Sequence, residues 1–226
     1  MAIRTQSQIA KGPNIVTDGL IMCLDAANTK SYVSGSNTWT DLSRGGNNGT
    51  LINLPTFSSE NGGSIVFDGV DEYGTVTQLN TNTNFTFEVF LKCTNVFKDQ
   101  MYMGTADTAV YVRILNEQPH MSIRTTPGLI QRTFSPPIIL QNDRIYHIVS
   151  SYNGIQMKIY VNGVLYTGTI LNENIIAWSI NRIGMYRDAS PRNFVGNIFL
   201  SKLYNRALSD SEVLQNYNAT KTRFGL

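Results

Sequence analysis

Residues 144–170, RIYHIVSSYNGIQMKIYVNGVLYTGTI, decide the fold. Two Asn-Gly pairs, Asn153-Gly154 and Asn162-Gly163, divide this stretch into three runs rich in β-branched and aromatic residues. Asn-Gly suits a tight hairpin turn because both residues tolerate positive φ. Between the turns Ile155, Met157, Ile159 and Val161 alternate with Gln156, Lys158 and Tyr160. A period of two marks a strand with one buried face. The segment therefore predicts a meander of three antiparallel strands.

Outward from it, FTFEVFLKC (residues 85–93) repeats the pattern. Phe85, Phe87, Val89, Leu91 and Cys93 face one way, and Thr86, Glu88, Phe90 and Lys92 the other. Shorter strand candidates fall at 20–24, 64–68, 110–114, 120–124, 180–184 and 194–204. A dozen or so short strands separated by Gly, Asn and Pro predict an all-β, two-sheet antiparallel sandwich. No fixed-period repeat or low-complexity linker interrupts it, so a single domain is expected. The helix signal is YNRALSDSEVLQNY (residues 204–217). Ser209 stands three residues before Glu212, the capping-box spacing that satisfies free N–H groups at a helix start. Val213, Leu214 and Tyr217 supply a short apolar stripe. A short helix over about 209–218, packed on the sandwich and followed by a polar tail, is the expectation.

Composition agrees. Of 226 residues 42% are hydrophobic and 15% charged, enough apolar material for a core and unlike a disordered chain. A net charge of +2, with scattered Lys and Arg, speaks against a nucleic-acid partner. No stretch approaches the roughly 18 apolar residues of a membrane span. The opening MAIRTQSQIAKGPN lacks the apolar core of a signal peptide, so synthesis in a cytoplasm is expected. Cys23 and Cys93 set no disulfide framework and read as buried thiols rather than a bridge between adjacent strands.

Laid out in this way, residues 18–218 resemble the LamG-like, concanavalin A-like jelly-roll family. GLIMCLDAANTKSY followed by TWTDLSRGGNNGTLINLPTF is similar to its first strand and Trp-x-Asp-Leu-Ser, Asn-Gly loop. SIVFDGVDEYGTV is similar to its Phe-Asp-Gly-x-Asp-Asp-Tyr turn, and FTFEVFLKC to its Phe-Thr-Ile-Glu-Ala-Trp-Val-Lys strand. YHIVSSYNGIQMKIYVNGVLY and FVGNIFLSKLYNRALSDSEVLQNY resemble the back-sheet hairpin and the closing strand plus helix. One departure stands out: GNIFLS places Phe199 and Leu200 where members often carry acids. The resemblance implies a domain over 18–226 with a jelly-roll fold and a structural role for Glu88. GLIMCLDAANTKSY together with the ending YNRALSDSEVLQNYNATKTRFGL is also similar to virion-associated proteins of tailed bacteriophages.

The site candidates divide by chemistry. Jelly-roll glycosidases use a Glu-x-Asp-x-x-Glu strand that puts carboxylates on one face. Glu88 stands alone on its strand, so no enzyme is expected. His120 and His147 lack Cys or carboxylate neighbours at ligand spacing. Asp68 and Asp71 in FDGVDEYG, with Glu72 beside them, have the oxygen ligands calcium prefers, but Asp in a tight turn also accepts backbone N–H bonds. No cofactor is expected, with calcium at Asp68 and Asp71 the alternative; Asp25 and Asp188 are weaker candidates. For sugar the best loop is NRIGMYRDASPRNF (181–194), with Tyr186, Arg187, Asp188 and Arg192 and with Tyr102 and Trp178 as neighbours. The bland alternative is a solvated loop beside core aromatics.

Residues 1–17 carry no strand periodicity, and Gly12-Pro13 breaks them. They are expected to form an arm that docks onto another chain through Ile3, Arg4, Ile9 and Lys11, by strand addition or groove contact. Folding back on its own domain is the alternative. The leading expectation is a non-catalytic structural or decoration protein of a phage particle, located on the virion. Its partners would be other virion subunits, as a homo-oligomer or docked on a capsid or tail protein. A glycan-binding adhesin for host-surface attachment is the second reading.

Overall fold

The computed structural model describes residues 14–81, 83–105, 109–126, 129–171, 173–176, 178–186 and 192–226. The first strands are β1 (Leu20–Asp25), β2 (Thr38–Trp39), β3 (Gly49–Ile52), β4 (Thr56–Ser58), β5 (Ser64–Asp68) and β6 (Tyr73–Thr81). Then come β7 (Asn84–Cys93), β8 (Gln100–Gly104), β9 (Val110–Leu115), β10 (Gln118–Thr126) and β11 (Ile130–Phe134). The meander supplies β12 (Ile145–Asn153), β13 (Gln156–Val161) and β14 (Val164–Ile170). The chain closes with β15 (Asn174–Ile175), β16 (Trp178–Ile183), β17 (Val195–Tyr204) and α1 (Asp210–Thr220).

These strands pair antiparallel into two sheets. The first runs β14-β13-β12-β7-β17-β5-β4, with β1 also on β17. The second runs β11-β10-β9-β8-β16-β6-β3-β2, with β15 on β10. The main core lies between them and includes Phe85, Phe87, Val89, Leu91, Val110, Val112, Ile114, Met121, Ile123, Met157 and Ile159. The two-sheet sandwich with one short C-terminal helix is thus the architecture read from the sequence. Cys23 and Cys93 are both free and buried.

The Asn-Gly pairs close their hairpins in different ways. Asn162 and Gly163 both take positive φ, 51° and 81°, as a type I′ turn requires. At the other turn only Gly154 does; Asn153 instead accepts the N–H groups of Ile155 and Gln156 through its side chain, at 3.0 and 2.7 Å. Ile155 therefore belongs to the turn and is exposed, unlike the rest of its expected face.

The larger correction concerns the outer face of the first sheet. Period two predicted one buried face for β7 and β13, yet Thr86, Glu88, Phe90 and Tyr160 on the opposite face are buried too. The reason is α1 and the tail behind it, which lie across this face. Val213 packs with Val149, Tyr160, Tyr204 and Leu208, while Phe224 packs with Phe90, Phe199, Leu200 and Cys23. The helix also turns differently from its expected stripe. Leu214 is 47% exposed, and Asn216 and Thr220 join Val213 as the buried positions. Its start is as read: Ser209 accepts from the Glu212 N–H, and the Glu212 side chain accepts from the Ser209 N–H in return.

Candidate functional site

Two clusters of polar side chains lie on the outer faces of the sandwich. On the first sheet, β7, β12 and β17 bring Glu88, His147 and Lys202 together: Lys202 stands directly opposite Glu88, and His147, opposite Phe90, is the diagonal neighbour of Glu88 on the same face. Glu88 Oε1 accepts from Lys202 Nζ at 2.9 Å and lies 3.1 Å from His147 Nε2. Asn216 of α1 donates to Glu88 Oε2 at 2.6 Å and to the Tyr204 hydroxyl at 2.9 Å. His147 is sandwiched between the rings of Phe90 and Tyr217, at 4.5 and 5.4 Å. Burial pushes the Glu88 carboxyl up, but Lys202 and then His147 outweigh it and hold it well below the ordinary range. Burial lowers His147, with Glu88 opposing. Carboxylate and ammonium thus neutralise each other with no opening for a substrate. The same network ties down the chain ahead of β1. The Val16 N–H donates to Asn216 Oδ1 at 2.7 Å, Tyr204 donates to the Val16 carbonyl at 3.1 Å, and Gln215 donates to that of Asn14 at 2.7 Å.

The outer face of the second sheet is built otherwise. Val110, Val112, Ile114, Met121 and Ile123 point into the core, so alternation along β9 and β10 turns Tyr111, Arg113, His120, Ser122 and Arg124 outward. Asp99, just before β8, takes Arg113 Nη1 at 2.9 Å and Arg192 Nε at 2.8 Å. Arg113 lies over the Tyr111 ring at 5.3 Å, and Arg192 over the Tyr186 ring at 5.0 Å. Those two rings meet edge to face, 5.3 Å apart, with Met101 completing the cluster. His120 is only 5% exposed; its Nδ1 lies 2.8 Å from the Ser135 hydroxyl, and its Nε2 is buried with no hydrogen-bond partner. Burial, then the Arg113 charge, bring His120 down to about 4, so it is neutral at pH 7. On the same face Arg182 lies over the Tyr73 ring at 5.0 Å and opposes Gly104, which opposes Tyr111. Gly104 has to be glycine, because a Cβ there would meet the Tyr111 Cβ at 2.6 Å.

Of the sequence candidates for sugar, Tyr186 and Arg192 come together on this second face, while Arg187 and Asp188 lie outside the described residues. Tyr186 is 9% exposed: Tyr111 holds its edge and Arg192 covers its face, so its ring is no open stacking platform. Tyr102 sits in the main core, and the Trp178 side chain is not among those described. Asp68 Oδ1 accepts the Val70 N–H at 2.8 Å and the Asp71 carbonyl accepts from Asn53 at 2.9 Å. No three His, Cys, Asp or Glu residues converge as a metal site among the described residues. The docking candidates Ile3, Arg4, Ile9 and Lys11 lie outside the described residues. Sequence reading missed Asp99, Arg113, Tyr111 and His120 as a site. The signal was present in VYVRIL, where Tyr111 and Arg113 share one face of an otherwise apolar strand.

Residues 67–214 match the concanavalin A-like lectin/glucanases superfamily. No curated protein matches the chain. Among solved structures, domain 4 of AbnA, a GH43 extracellular arabinanase from Geobacillus stearothermophilus in complex with arabinotriose, is similar at 15% identity and a TM-score of 0.65. The match covers 90% of this chain and all of that one. The binding domain of Paraclostridial Mosquitocidal Protein 1 matches at 13% identity and 0.68, over 89% of this chain and 52% of that one. Trypanosoma rangeli sialidase in complex with sialic acid matches at 16% and 0.66, over 95% of this chain and 35% of that one. The chain thus spans about half of the toxin domain and a third of the sialidase. At such identities these likenesses show the fold.

Proposed function

The chain belongs to the concanavalin A-like lectin/glucanases superfamily, and on that premise we propose that it is a non-catalytic lectin-type module, carried on a bacteriophage particle as a structural or decoration component. The observation that carries the non-catalytic reading is how two of its carboxylates, Glu88 and Asp99, are held. Glu88 is sealed beneath α1 against Lys202, and Asp99 is clamped between Arg113 and Arg192. Glycoside hydrolysis needs two carboxyl groups flanking the scissile bond, roughly 5–9.5 Å apart. Neither Glu88 nor Asp99 is offered in that way.

The particle reading is supported by the resemblance of residues 19–32 and 204–226 to phage virion-associated proteins. In it, the segment ahead of residue 14 docks onto a capsid or tail subunit, or onto a second copy, through Ile3, Arg4, Ile9 and Lys11. Many copies on one particle would make weak surface contacts effective through avidity. A second reading, a host-surface adhesin, is favoured by the Arg–Tyr cluster on the outer face of the second sheet.

A form beginning at Asn14 separates fold from docking, since Asn14 and Val16 are bonded within the domain. Full-length and shortened proteins are mixed with particles of the encoding phage and sedimented. Full-length chain in the pellet, with a folded shortened form left in the supernatant, is the expected result. Sedimentation of both forms, or of neither, sinks the docking proposal.

A further inference from the structure

The geometry points to a cleft at one edge of the sandwich, between residues 32–37 and residues 54–57, as a binding site for a neutral saccharide of one or two rings. This deepens the lectin reading and rests on it. The cleft lies where both sheets end: β2 is the last strand of the second sheet and β4 the last of the first. Leu51 of β3 joins the two segments in lining a volume of about 260 Å³. Small-molecule sites usually hold roughly 300–1,000 Å³, so a volume just short of that range fits a short sugar rather than a long chain.

The lining has the two-sided character of a sugar. Tyr32, Leu51 and Pro55 are its buried members, and the half-buried Phe57 ring stands 5.5 Å from that of Tyr32. Together they offer apolar surface to the C–H face of a sugar ring. Ser34, Asn37 and Thr56 are its exposed polar members and supply hydroxyl and amide groups for sugar hydroxyls. Among the described residues no Lys, Arg, His, Asp or Glu lines this cleft. Three other clefts are each lined by charged side chains: Asp18 and Arg44, Lys92 and Arg144, or Lys158 and Glu212. A charged ligand entering the uncharged cleft would give up water and meet no countercharge, so the cleft selects a neutral molecule.

Leu54 is the independent sign that something belongs there. It lines the cleft, is 78% exposed, and takes a φ of 60° directly after Asn53 at 61°. A bulky side chain is strained in this region of backbone space, and no burial offsets the strain. Glycine would suit the turn better on both counts. Such a side chain, strained and exposed at a cleft, serves a ligand contact rather than stability. The walls are fixed beforehand. Tyr32 donates to the Ser36 carbonyl at 3.0 Å, the Leu51 N–H to the Asn37 carbonyl at 2.7 Å, and Asn53 to the Asp71 carbonyl at 2.9 Å. Walls held in this way lose little freedom on binding.

The test uses the intact chain. Mono- and disaccharides of glucose, galactose and arabinose, with glucuronate and sialic acid as acidic counterparts, are titrated while NMR follows the Leu54 methyls and the Asn37 amide. At least one neutral sugar should bind, shift both sets of resonances and keep its affinity in added salt. Leu54→Gly should weaken that binding about ten-fold with Tm unchanged or raised, since the backbone there suits glycine. Asn37→Ala should weaken it roughly three- to ten-fold. Binding that leaves Leu54 and Asn37 unmoved, or that neither variant weakens, overturns this site and leaves the lectin reading intact. A lower Tm in Leu54→Gly assigns Leu54 to stability and overturns its part in the site. Preference for the acidic sugars, lost in salt, overturns the neutral assignment. Silence from every sugar overturns both readings.

Discussion

The two histidines of the chain sit on opposite outer faces of the sandwich, and their surroundings use the same residue types to different ends. His147 shares its face with a carboxylate, an ammonium and aromatic rings, and α1 closes over them all. His120 shares its face with guanidiniums, a carboxylate and tyrosines, and no helix crosses it among the described residues. In the first cluster the charges cancel one against one. In the second, one carboxylate serves two arginines; each histidine keeps one buried ring nitrogen without a hydrogen-bond partner, Nδ1 of His147 and Nε2 of His120. Residue types alone do not separate the two faces. What separates them is how the charges are matched and whether α1 closes over them.

Removing one charge from each face tests the comparison most severely. Replacing Glu88 by Leu, or Lys202 by Met, leaves the other ion buried without its countercharge, which costs about 3–5 kcal/mol. The double variant should recover most of that loss, because two apolar chains replace a neutralised pair. Arg113→Gln should cost less, since Asp99 keeps Arg192; with its side chain 11% exposed, the loss should lie between the about 1 kcal/mol of a surface pair and that of a fully buried one. Urea unfolding of all four variants measures this. Single losses on the Glu88 face no larger than at Arg113 would mean that water reaches the cluster, and the distinction between the faces would collapse.

Acid sharpens the comparison at lower energy. Burial, then Arg113, set His120 at about 4, and burial lowers His147 as well. The unfolded chain takes up these protons near the ordinary histidine value of about 6.5. For His120, stability is therefore fully present above about pH 6.5 and falls as acid approaches pH 4, by on the order of 3 kcal/mol; His147 acts in the same direction. His120→Gln should flatten part of this slope, and His147 should carry the remainder. An unchanged slope in His120→Gln would mean that His120 is as well hydrated folded as unfolded. The Glu88 carboxyl contributes at more acid pH still, where its protonation releases Lys202.

Most of the fold could be read in the chain because strand periodicity and turn chemistry are local. The boundaries of β5 and the 144–170 meander follow from them directly. The faces were harder. Period two tells which residues of β7 share a side, but whether Glu88 and Phe90 meet water depends on a helix that arrives over a hundred residues later. Phe199 and Leu200, standing where relatives carry acids, were the available clue, and they lie under Phe224. For the site, the 181–194 loop named Tyr186 and Arg192. Their partners Asp99, just ahead of β8, and Tyr111 and Arg113 on β9 are brought there only by the register of the second sheet.

The smallest expected effect falls at the edge of the lid that makes the two faces different. Ser209 caps α1, accepting from the Glu212 N–H while Glu212 answers, and Asp210 in the first turn accepts from Tyr160 at 2.7 Å and Lys158 at 2.8 Å. Ser209→Ala removes the cap and should cost about 1 kcal/mol, whereas Ser209→Gly should cost only a few tenths. For a chain of this length the alanine variant lowers Tm by roughly 2–4 °C. The useful readout is local: hydrogen exchange at β7 and β12 near Glu88 and His147 should quicken, while exchange at β9 and β10 around Arg113 and His120 stays as it was. Uniform quickening across both sheets would mean that α1 holds the whole sandwich together rather than sealing one face. In that case the closure around Glu88 would be a consequence of global stability, not of the helix.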